Sequence, residues 1–570
     1  MLKLIPTPKK LEIFDDFISC TSVCLKSEIS YERLKKATKK LPSNNSGISL
    51  FVEVEDLGKE EYEIDITKES IKISAKSEQG AFWGIQTLRQ IFKNKNIPCL
   101  HIEDCPDFSY RGFYHDVTRG KVPTLDTLKK LVDEMAYYKM NSLQLYVEHT
   151  YEFEEFKDSI EKTGYMTAEE TKALDDYCYE NYIELIPSIA CFGHLYELLQ
   201  KPQYKELCVL ENFEQDTHYW PNRMQHHTID PQNPKSFEVV KSMIDQYMPL
   251  FKTNKFNICC DETFDLSKGR HKGKDTARLY VDFVKKLISY LQSKGKTVMM
   301  WADIVLKHPE TLSEIPDSVE FLNWYYWTTP NEDDFKKFSD LNKIQIVCPG
   351  TSTWNRLSEG VKTAEKNIEL LAELGKKYNA RGMLNTNWGD WGNPCSLELC
   401  MYSFVWGGEK AWNADTIPND EYFDKVNFLL YDNENGCRYI KELDELHSKI
   451  HWCEFAKIYS NLLYEKQFDI FIEPKEDLIN AHKGLTEFID RLSGEKWTKD
   501  EFRQEMLIAA QGLKIMAEIF AKHTGFSFEN ESDINKWILK YREKWISKNK
   551  EYELLEIEKM FKTLDRHYNK

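Results

Sequence analysis

The chain has 570 residues, with 76 Lys or Arg and 93 Asp or Glu, so its formal net charge is −17. Hydrophobic residues make up 41% and charged residues 30%, a composition typical of folded proteins that excludes a wholly disordered chain. The acidic balance argues against nucleic-acid binding, because clustered Lys and Arg are needed to hold a polyanion. No segment offers about 18 consecutive apolar residues, so no membrane span is predicted.

Residues 1–105 predict a small α+β domain. Apolar and polar residues alternate over Tyr62–Ile66 and 71–75, which indicates two half-buried strands. Between residues 81 and 92 the apolar residues instead follow helical spacing.

Residues 106–430 predict a (β/α)8 TIM barrel. Short apolar runs alternate with longer amphipathic stretches, which is typical of βα units around a parallel sheet. The eight predicted strands are 112–116, Ser142–Val147, 182–189, 256–260, Thr297–Trp301, 319–324, Ile344–Cys348 and 381–385. The helices predicted between them include 125–138, 237–251, Thr276–Ser293 and 364–378. Eight units in about 300 residues fit a barrel of roughly 250 residues plus insertions.

Residues 431–570 predict an α-helical C-terminal domain packed on the barrel. Leu485, Phe488, Ile489 and Leu492 fall at i, i+3, i+4 and i+7, the spacing of a buried helix face. A homodimer through this domain is an arrangement that the sequence leaves open.

The 14 cysteines are scattered singly, apart from Cys259-Cys260, and no C-x-x-C pair occurs. The usual zinc and thioredoxin-type patterns therefore have no support, and we expect no metal. The first residues lack the basic head and long apolar run of a secretory signal. Many cysteines without an export signal are typical of a reducing compartment, so we expect a cytoplasmic protein.

The carboxyl ends of the predicted barrel strands carry carboxylates and tryptophans. Reacting groups of βα barrels lie at these ends. Trp faces suit sugar rings, and a carboxylic acid can protonate a glycosidic oxygen, so this set indicates carbohydrate chemistry. The candidate site residues are Arg119, Glu148, His194, Asp261, Glu262, Trp301, Trp324, Tyr326, Trp354, Trp388 and Asp390.

The adjacent pair Asp261-Glu262 is the most specific indication of catalytic residues in the sequence. Neighbouring side chains on an extended backbone point in different directions, so the two do not flank one bond as acid and nucleophile. One can reach the leaving-group oxygen while the other contacts a ring substituent. From the residues alone, the pair also fits a helix N-terminus, His194 a structural histidine and Arg119 a surface ion pair.

Taken in order, these motifs resemble glycoside hydrolase family 20, the β-N-acetylhexosaminidases. The resemblance rests on the runs 80–90, 110–119 and 139–141 and on the Asp-Glu pair after a fourth strand, and it extends from Tyr62 to Trp412. The helical C-terminal domain is similar to that of the intracellular bacterial branch, which acts on short oligosaccharides.

The resemblance implies an exo-acting, retaining glycosidase that releases terminal β-linked GlcNAc or GalNAc from oligosaccharides without a cofactor. In this family the substrate's 2-acetamido oxygen attacks the anomeric carbon through an oxazoline intermediate, so no enzyme nucleophile is needed. Glu262 would be the general acid and then the general base, and Asp261 would hold the acetamido N–H. Arg119 and Asp390 would bind the sugar hydroxyls. His194 with Glu148 would orient Glu262, the aromatic box would draw on Trp301, Trp324 and Trp388, and Tyr326 and Trp354 would be further substrate-binding residues.

Three positions depart from the family pattern. The family commonly has His and two glycines before the Asp-Glu pair, where this chain has Asn257, Ile258, Cys259 and Cys260. It often supplies a Tyr to the acetamido oxygen after the seventh strand, where this chain has residues 351–354 (Thr-Ser-Thr-Trp), so Tyr325 or Tyr326 could take that role. A Trp-Gly-Asp-Trp run replaces the more usual Trp-x-Glu.

Two other functions stay open at this level. One is a non-catalytic sugar-binding barrel, which the Asp-Glu pair disfavours because a binding module needs no buried acid. The other is a barrel glycosidase acting on non-acetamido sugars. The choice between GlcNAc and GalNAc, the linkage and the chain length depend on loops such as 216–230, whose conformation the sequence does not define.

Overall fold

A computed structural model describes residues 2–94, 96–158, 164–211, 220, 227–463 and 468–569. The loop 216–230 therefore lies mostly outside the described residues. Within the described chain the strands are β1 (Lys10–Ile18), β2 (Val23–Leu25), β3 (Ile48–Val54), β4 (Tyr62–Ile66), β5 (Ser70–Ala75), β6 (Ile97–Asp104), β7 (Tyr110–Asp116), β8 (Ser142–Val147), β9 (Glu184–Ile189), β10 (Lys255–Asn257), β11 (Thr297–Trp301), β12 (Glu320–Trp324), β13 (Ile344–Cys348) and β14 (Gly382–Asn387).

The N-terminal part is a six-stranded sheet with the order β1-β6-β4-β5-β3-β2. Two helices accompany it, Glu32–Thr38 and Glu78–Ile91. The second begins where the Ser77 hydroxyl accepts the backbone N–H of Gly80, a typical N-cap. Its apolar face is buried, including Phe82 and Leu88 as the spacing predicted.

Strands β7–β14 close into a parallel barrel, with β14 pairing back to β7. The α-helices that accompany the barrel are Leu125–Tyr137, Ala168–Glu180, Tyr196–Leu199, Pro234–Tyr247, Thr276–Ser293, Asp303–Lys307, Glu332–Asp340, Val361–Lys377 and Met401–Trp412. The predicted fold class is confirmed: a TIM barrel with a small N-terminal domain and a helical C-terminal region.

One predicted strand is wrong in extent. The fourth was expected over 256–260, but β10 ends at Asn257. Cys259 and Cys260 have φ angles of 54° and 65°, which take the chain out of the extended conformation before the Asp-Glu pair. The pair therefore lies on a turn.

The helix Asp420–Val426 closes the barrel unit, and the C-terminal region consists of the α-helices Gly436–His447, Trp452–Leu463, Lys475–Gly494, Asp500–His523, Ile534–Lys548 and Leu554–Tyr568. It contacts the loop after β7, where Lys550 N–H donates to Val122 O at 2.8 Å and Thr124 N–H donates to Lys548 O at 2.9 Å. It therefore packs beside the carboxyl end of the barrel. None of the helices in the described part of the chain is long and apolar enough to cross a membrane.

Candidate active site

The carboxyl ends of the barrel strands enclose a cavity of about 250 Å³. Its lining residues are Arg119, Asp261, Glu262, Trp301, Trp324, Tyr326, Trp327, Trp354, Trp388 and Asp390. Sites for drug-sized ligands have volumes of about 300–1,000 Å³, so this cavity suits a single sugar ring. The structure thus brings nine predicted residues together around one small space.

His194 joins the two adjacent carboxylates. Its Nε2 lies 3.2 Å from Oδ2 of Asp261 and 3.4 Å from Oε2 of Glu262. Its Nδ1 lies 3.2 Å from Nη2 of Arg119. Because a guanidinium nitrogen can only donate, Nδ1 is the acceptor and the ring proton lies on Nε2, facing the carboxylates.

Opposing effects act on the imidazole of His194. Burial lowers its pKa, whereas the charge and hydrogen bond of Asp261 and the hydrogen bond of Glu262 raise it to about 10. That value includes the positive charge of Arg119, which acts to lower it. The raised pKa favours a second ring proton near neutral pH, but Nδ1 accepts from Nη2 of Arg119 in this structure, so adding that proton requires the Arg119 contact to break.

Asp261 keeps one carboxylate oxygen available. Its Oδ2 faces His194, but Oδ1 is buried without a hydrogen-bond partner among the described residues. A buried acceptor left unpaired costs about 1–3 kcal/mol. A donor on a bound ligand would recover that cost.

Arg119 and Asp390 form a buried ion pair at the cavity wall. Nη1 of Arg119 lies 3.1 Å from Oδ1 of Asp390, and the guanidinium lies 5.1 Å from the ring centroid of Trp388. Burial raises the pKa of Asp390 to about 6, although Arg119 acts to lower it. The fixed guanidinium fork and the carboxylate together present donors and acceptors that match neighbouring sugar hydroxyls.

Glu148 contacts Arg119 instead of standing beside the acid pair. Its Oε1 accepts the Tyr146 hydroxyl at 2.9 Å and lies 3.5 Å from Nε of Arg119. Of the two side chains expected to orient Glu262, His194 contacts it directly, and Glu148 acts on the guanidinium.

The predicted aromatic residues form one connected wall. Trp388 donates its indole N–H to the Tyr326 hydroxyl at 2.7 Å. The Tyr326 ring stacks on Trp324 with 5.0 Å between centroids and lies 5.1 Å from Trp354. Trp301 lies 5.8 Å from Trp388 and is fully buried. The wall offers apolar faces to a ring together with one phenolic hydroxyl.

Sequence reasoning missed four residues of this region: Tyr114, Tyr146, Asp303 and Trp327. Tyr114 and Tyr146 lie beside Trp388, with centroids 5.1 and 5.2 Å from it. Their position on β7 and β8 in a closed barrel, where alternate residues point inward, was a usable signal. Asp303 accepts the backbone N–H of Glu262, and its place just after β11 could have indicated it.

Left-handed backbone conformations cluster at these strand ends. They occur at His194, Cys259, Cys260, Glu262, Ser352 and Asp390. Such a conformation costs a residue with a Cβ about 1–3 kcal/mol. Residues of this kind are found mainly at functional sites, where the surrounding structure enforces the conformation. At the two cysteines this explains why glycine suits the same positions in the family pattern.

His194, Asp261 and Glu262 also present ligand atoms within 4.8 Å of one another, close enough for one divalent cation. The chemistry of the set fits a proton better. Nε2 of His194 carries its hydrogen towards the carboxylates, and the Arg119 guanidinium already supplies positive charge beside the ring. We assign no metal to these residues.

Two family models match the sequence. Residues 108–428 match Glycosyl hydrolase family 20, catalytic domain, and residues 2–105 match domain 2 of the same family. The first match alone covers more than half of the chain. The chain belongs to glycosyl hydrolase family 20.

Curated beta-hexosaminidases are similar to the chain over part of their length. A beta-hexosaminidase of Porphyromonas gingivalis is 25% identical over 409 residues, which cover 61% of this chain and 50% of the relative. A beta-hexosaminidase of Akkermansia muciniphila is 26% identical over 282 residues, which cover 44% of this chain and 56% of the relative. The chain thus spans about half the length of these relatives.

Solved family 20 structures share the fold. The beta-N-acetylhexosaminidase of Bacteroides fragilis aligns with a TM-score of 0.59 and 21% identity over 75% of this chain and 94% of its own. The chitobiase of Flavobacterium johnsoniae aligns with a TM-score of 0.61 and 16% identity over 98% of this chain and 99% of its own. At these identities the likeness concerns the fold.

Proposed function

We propose that this chain is an exo-acting, retaining β-N-acetylhexosaminidase that hydrolyses terminal β-linked GlcNAc or GalNAc from oligosaccharides. The observation that carries the proposal is the Asp261-Glu262 pair on one small cavity, joined through His194, with Oδ1 of Asp261 buried and unpaired among the residues described. Membership of family 20 and the beta-hexosaminidase relatives support it.

The proposed reaction uses the substrate's own nucleophile. Glu262 donates a proton to the departing glycosidic oxygen while the 2-acetamido oxygen attacks the anomeric carbon and closes an oxazoline ring. Asp261 accepts the acetamido N–H through Oδ1 and stabilises the positive charge that develops there. Glu262 then takes a proton from water, which opens the ring with overall retention. Held in place, the acetamido group acts at an effective concentration of roughly 10⁵ M or more.

The remaining cavity residues are assigned to binding. Arg119 and Asp390 would hold the hydroxyls of the terminal sugar, and their buried ion pair would close the far end of the cavity, which suits an exo-acting enzyme. The aromatic wall would cover the ring and the acetamido methyl. Tyr326 would supply the hydroxyl for the acetamido oxygen, because it already accepts from Trp388 and keeps its own proton to donate.

We also propose a cytoplasmic location for the enzyme. All fourteen cysteines are free in the structure, which suits a reducing cytoplasm. We retain the division into units 1–105, 106–430 and 431–570, with oligosaccharides as the substrate partner. A homodimer through the helical region stays a prediction that light scattering would test.

A panel of aryl glycosides decides between this proposal and its two alternatives. We expect turnover of the aryl N-acetyl-β-glucosaminide and little turnover of the plain β-glucoside, which lacks the attacking oxygen. Full activity on the plain glucoside would favour a glycosidase for non-acetamido sugars. Calorimetric binding of GlcNAc without turnover of either substrate would favour a non-catalytic sugar-binding barrel.

Replacing the general acid tests the assignment of Glu262. We expect Glu262→Gln to fold normally and to lose about 10²–10⁴-fold in kcat on an aryl N-acetylglucosaminide, because the amide cannot donate or accept the proton. Glu310→Gln is the matched control, since Glu310 is exposed and lies outside the cavity. Steady-state kinetics and circular dichroism of both variants provide the measurement. Turnover of Glu262→Gln within twofold of the wild type would contradict the assignment.

A further inference from the structure

Asp303 lies beside the catalytic pair without lining the cavity. It follows β11 and begins the helix Asp303–Lys307. Its Oδ2 accepts the backbone N–H of Glu262 at 3.1 Å, and its Oδ1 is buried with no hydrogen-bond partner in the described part of the chain. Burial and the charge of Asp261 raise the pKa of Asp303 to about 7.

The backbone that Asp303 holds is strained. Cys259, Cys260 and Glu262 have φ angles of 54°, 65° and 47°. Each left-handed residue with a Cβ costs roughly 1–2 kcal/mol, so this turn exists only because its surroundings fix it.

Hydrogen bonds to backbone groups hold the left-handed residues of this turn. Trp301 N–H donates to Cys259 O at 3.0 Å, and the Tyr280 hydroxyl donates to Cys260 O at 2.8 Å. At Glu262 two contacts hold the backbone: its carbonyl oxygen accepts the N–H of Phe264 at 2.7 Å, and its own N–H donates to Oδ2 of Asp303 at 3.1 Å. The carboxylate of Asp303 thus holds the last left-handed residue of the turn, the one whose side chain is the acid.

We propose that Asp303 is a positioning residue that fixes the backbone of Glu262 and so aims the general acid at the glycosidic oxygen. This inference rests on the proposed function. If the N–H of Glu262 is released, the residue can leave the left-handed region and its carboxyl group shifts. A displacement of about 1 Å can cost 10²-fold in rate. The Asp261 carboxylate is held separately, with Oδ2 at 3.2 Å from Nε2 of His194, so the acetamido attack depends less on Asp303.

The proposal predicts that the loss of rate on removing Asp303 depends on the leaving group of the substrate. A sugar alkoxide leaves only with a proton, whereas dinitrophenolate leaves without one. Loss of Asp303 should therefore slow hydrolysis of N,N′-diacetylchitobiose far more than hydrolysis of the dinitrophenyl N-acetyl-β-glucosaminide. The ratio kcat/KM is the quantity to compare, because it reports the steps up to oxazoline formation.

The experiment measures both substrates with the full chain, as wild type, Asp303→Ala and Asp303→Asn. We expect Asp303→Ala to lose about 10–100-fold on the disaccharide, mainly in kcat, and less than about threefold on the dinitrophenyl substrate. Asp303→Asn retains a side-chain oxygen that can accept the N–H of Glu262, so it should recover most of the lost rate on the disaccharide.

Glu359→Ala is the matched control. The Oε2 of Glu359 accepts the backbone N–H of Ser403 at 3.0 Å, and its Oε1 is buried and unpaired among the described residues, away from the cavity. If this control loses activity only through damage to the structure, kcat/KM should fall equally for both substrates. An equal loss on both substrates for Asp303→Ala, or no recovery in Asp303→Asn, would overturn the inference. A wild type inactive on both substrates would instead overturn the proposed function.

Discussion

At the scale of single residues, a buried histidine ties the stability of the fold to pH. His447 ends the helix Gly436–His447, and its Nε2 accepts the backbone N–H of Leu357 at 2.9 Å. Burial, together with the positive charge of Arg356, lowers the pKa of His447 well below its ordinary value. An accepting nitrogen carries no proton, so this contact between a barrel loop and the C-terminal helices requires the neutral ring.

Stability should therefore fall in acid partly because of His447. Below about pH 6.5 the unfolded chain takes up a proton that the folded ring excludes, which costs about 1.4 kcal/mol per pH unit. His447→Gln keeps an acceptor for Leu357 without a titration in this range. We expect the free energy of unfolding of the wild type to fall more steeply than that of the variant by this amount between pH 6 and 5, measured by urea unfolding. Equal slopes would contradict the account.

The side chains of the site were predictable from sequence to different degrees. Asp261 and Glu262 could be named because the pair follows a short apolar run. The conformation of Cys259 and Cys260 could not, because hydrogen bonds from the Trp301 N–H and the Tyr280 hydroxyl to their carbonyl oxygens, rather than residue preference, hold their left-handed backbone. The place of Asp303 after the fifth barrel strand was visible in the sequence, but its bond to the backbone N–H of Glu262 depends on the folded geometry and could not be predicted.

At the scale of elements, the loop after β14 depends on helices far along the chain. The Trp452 indole N–H donates to Trp391 O at 2.8 Å, and the Tyr541 hydroxyl donates to Pro394 O at 3.1 Å. Both bonds hold residues that directly follow Asp390, itself left-handed with a φ angle of 46°. The C-terminal region thus contributes to the placement of a binding residue of the barrel.

Removing one of these bonds should weaken sugar binding. Trp452→Phe keeps an aromatic ring but loses the indole N–H bond, worth about 1 kcal/mol, together with part of the buried ring volume. We expect the inhibition constant of free GlcNAc to rise about fivefold, because Asp390 is held less firmly. Trp497→Phe is the control, since the Trp497 indole N–H donates to Glu495 at 2.8 Å within the helical region. An unchanged inhibition constant in Trp452→Phe would argue against this dependence.

The elements themselves were largely predictable. Seven of the eight predicted barrel strands overlap the observed strands to within two residues at each end, because the short apolar runs of the sequence coincide there with buried strands. The docking of the helical region on the loops near Val122 and Trp391 was not predictable, since those contacts join residues more than 60 positions apart through backbone groups.

At the scale of the whole molecule, the barrel is held from both ends. Near its amino end the buried guanidinium of Arg111 pairs with Glu60 at 2.5 Å, and Lys139 pairs with Asp104 at 2.9 Å. At the carboxyl end Lys550 N–H bonds to Val122 O beside the loop that carries Arg119. The N-terminal sheet thus supports the barrel away from the cavity, and the helical region supports the loops that form it.

The central claim is that the substrate's acetamido oxygen attacks the anomeric carbon while Asp261 and Glu262 assist. It is tested most directly by kcat/KM for aryl glycosides whose N-acetyl group carries zero to three fluorines. Fluorine withdraws electron density from the carbonyl oxygen, so the account predicts a fall of at least about 100-fold across the series. A value that stays constant across the series would contradict it, because an enzyme nucleophile would then be doing the attack.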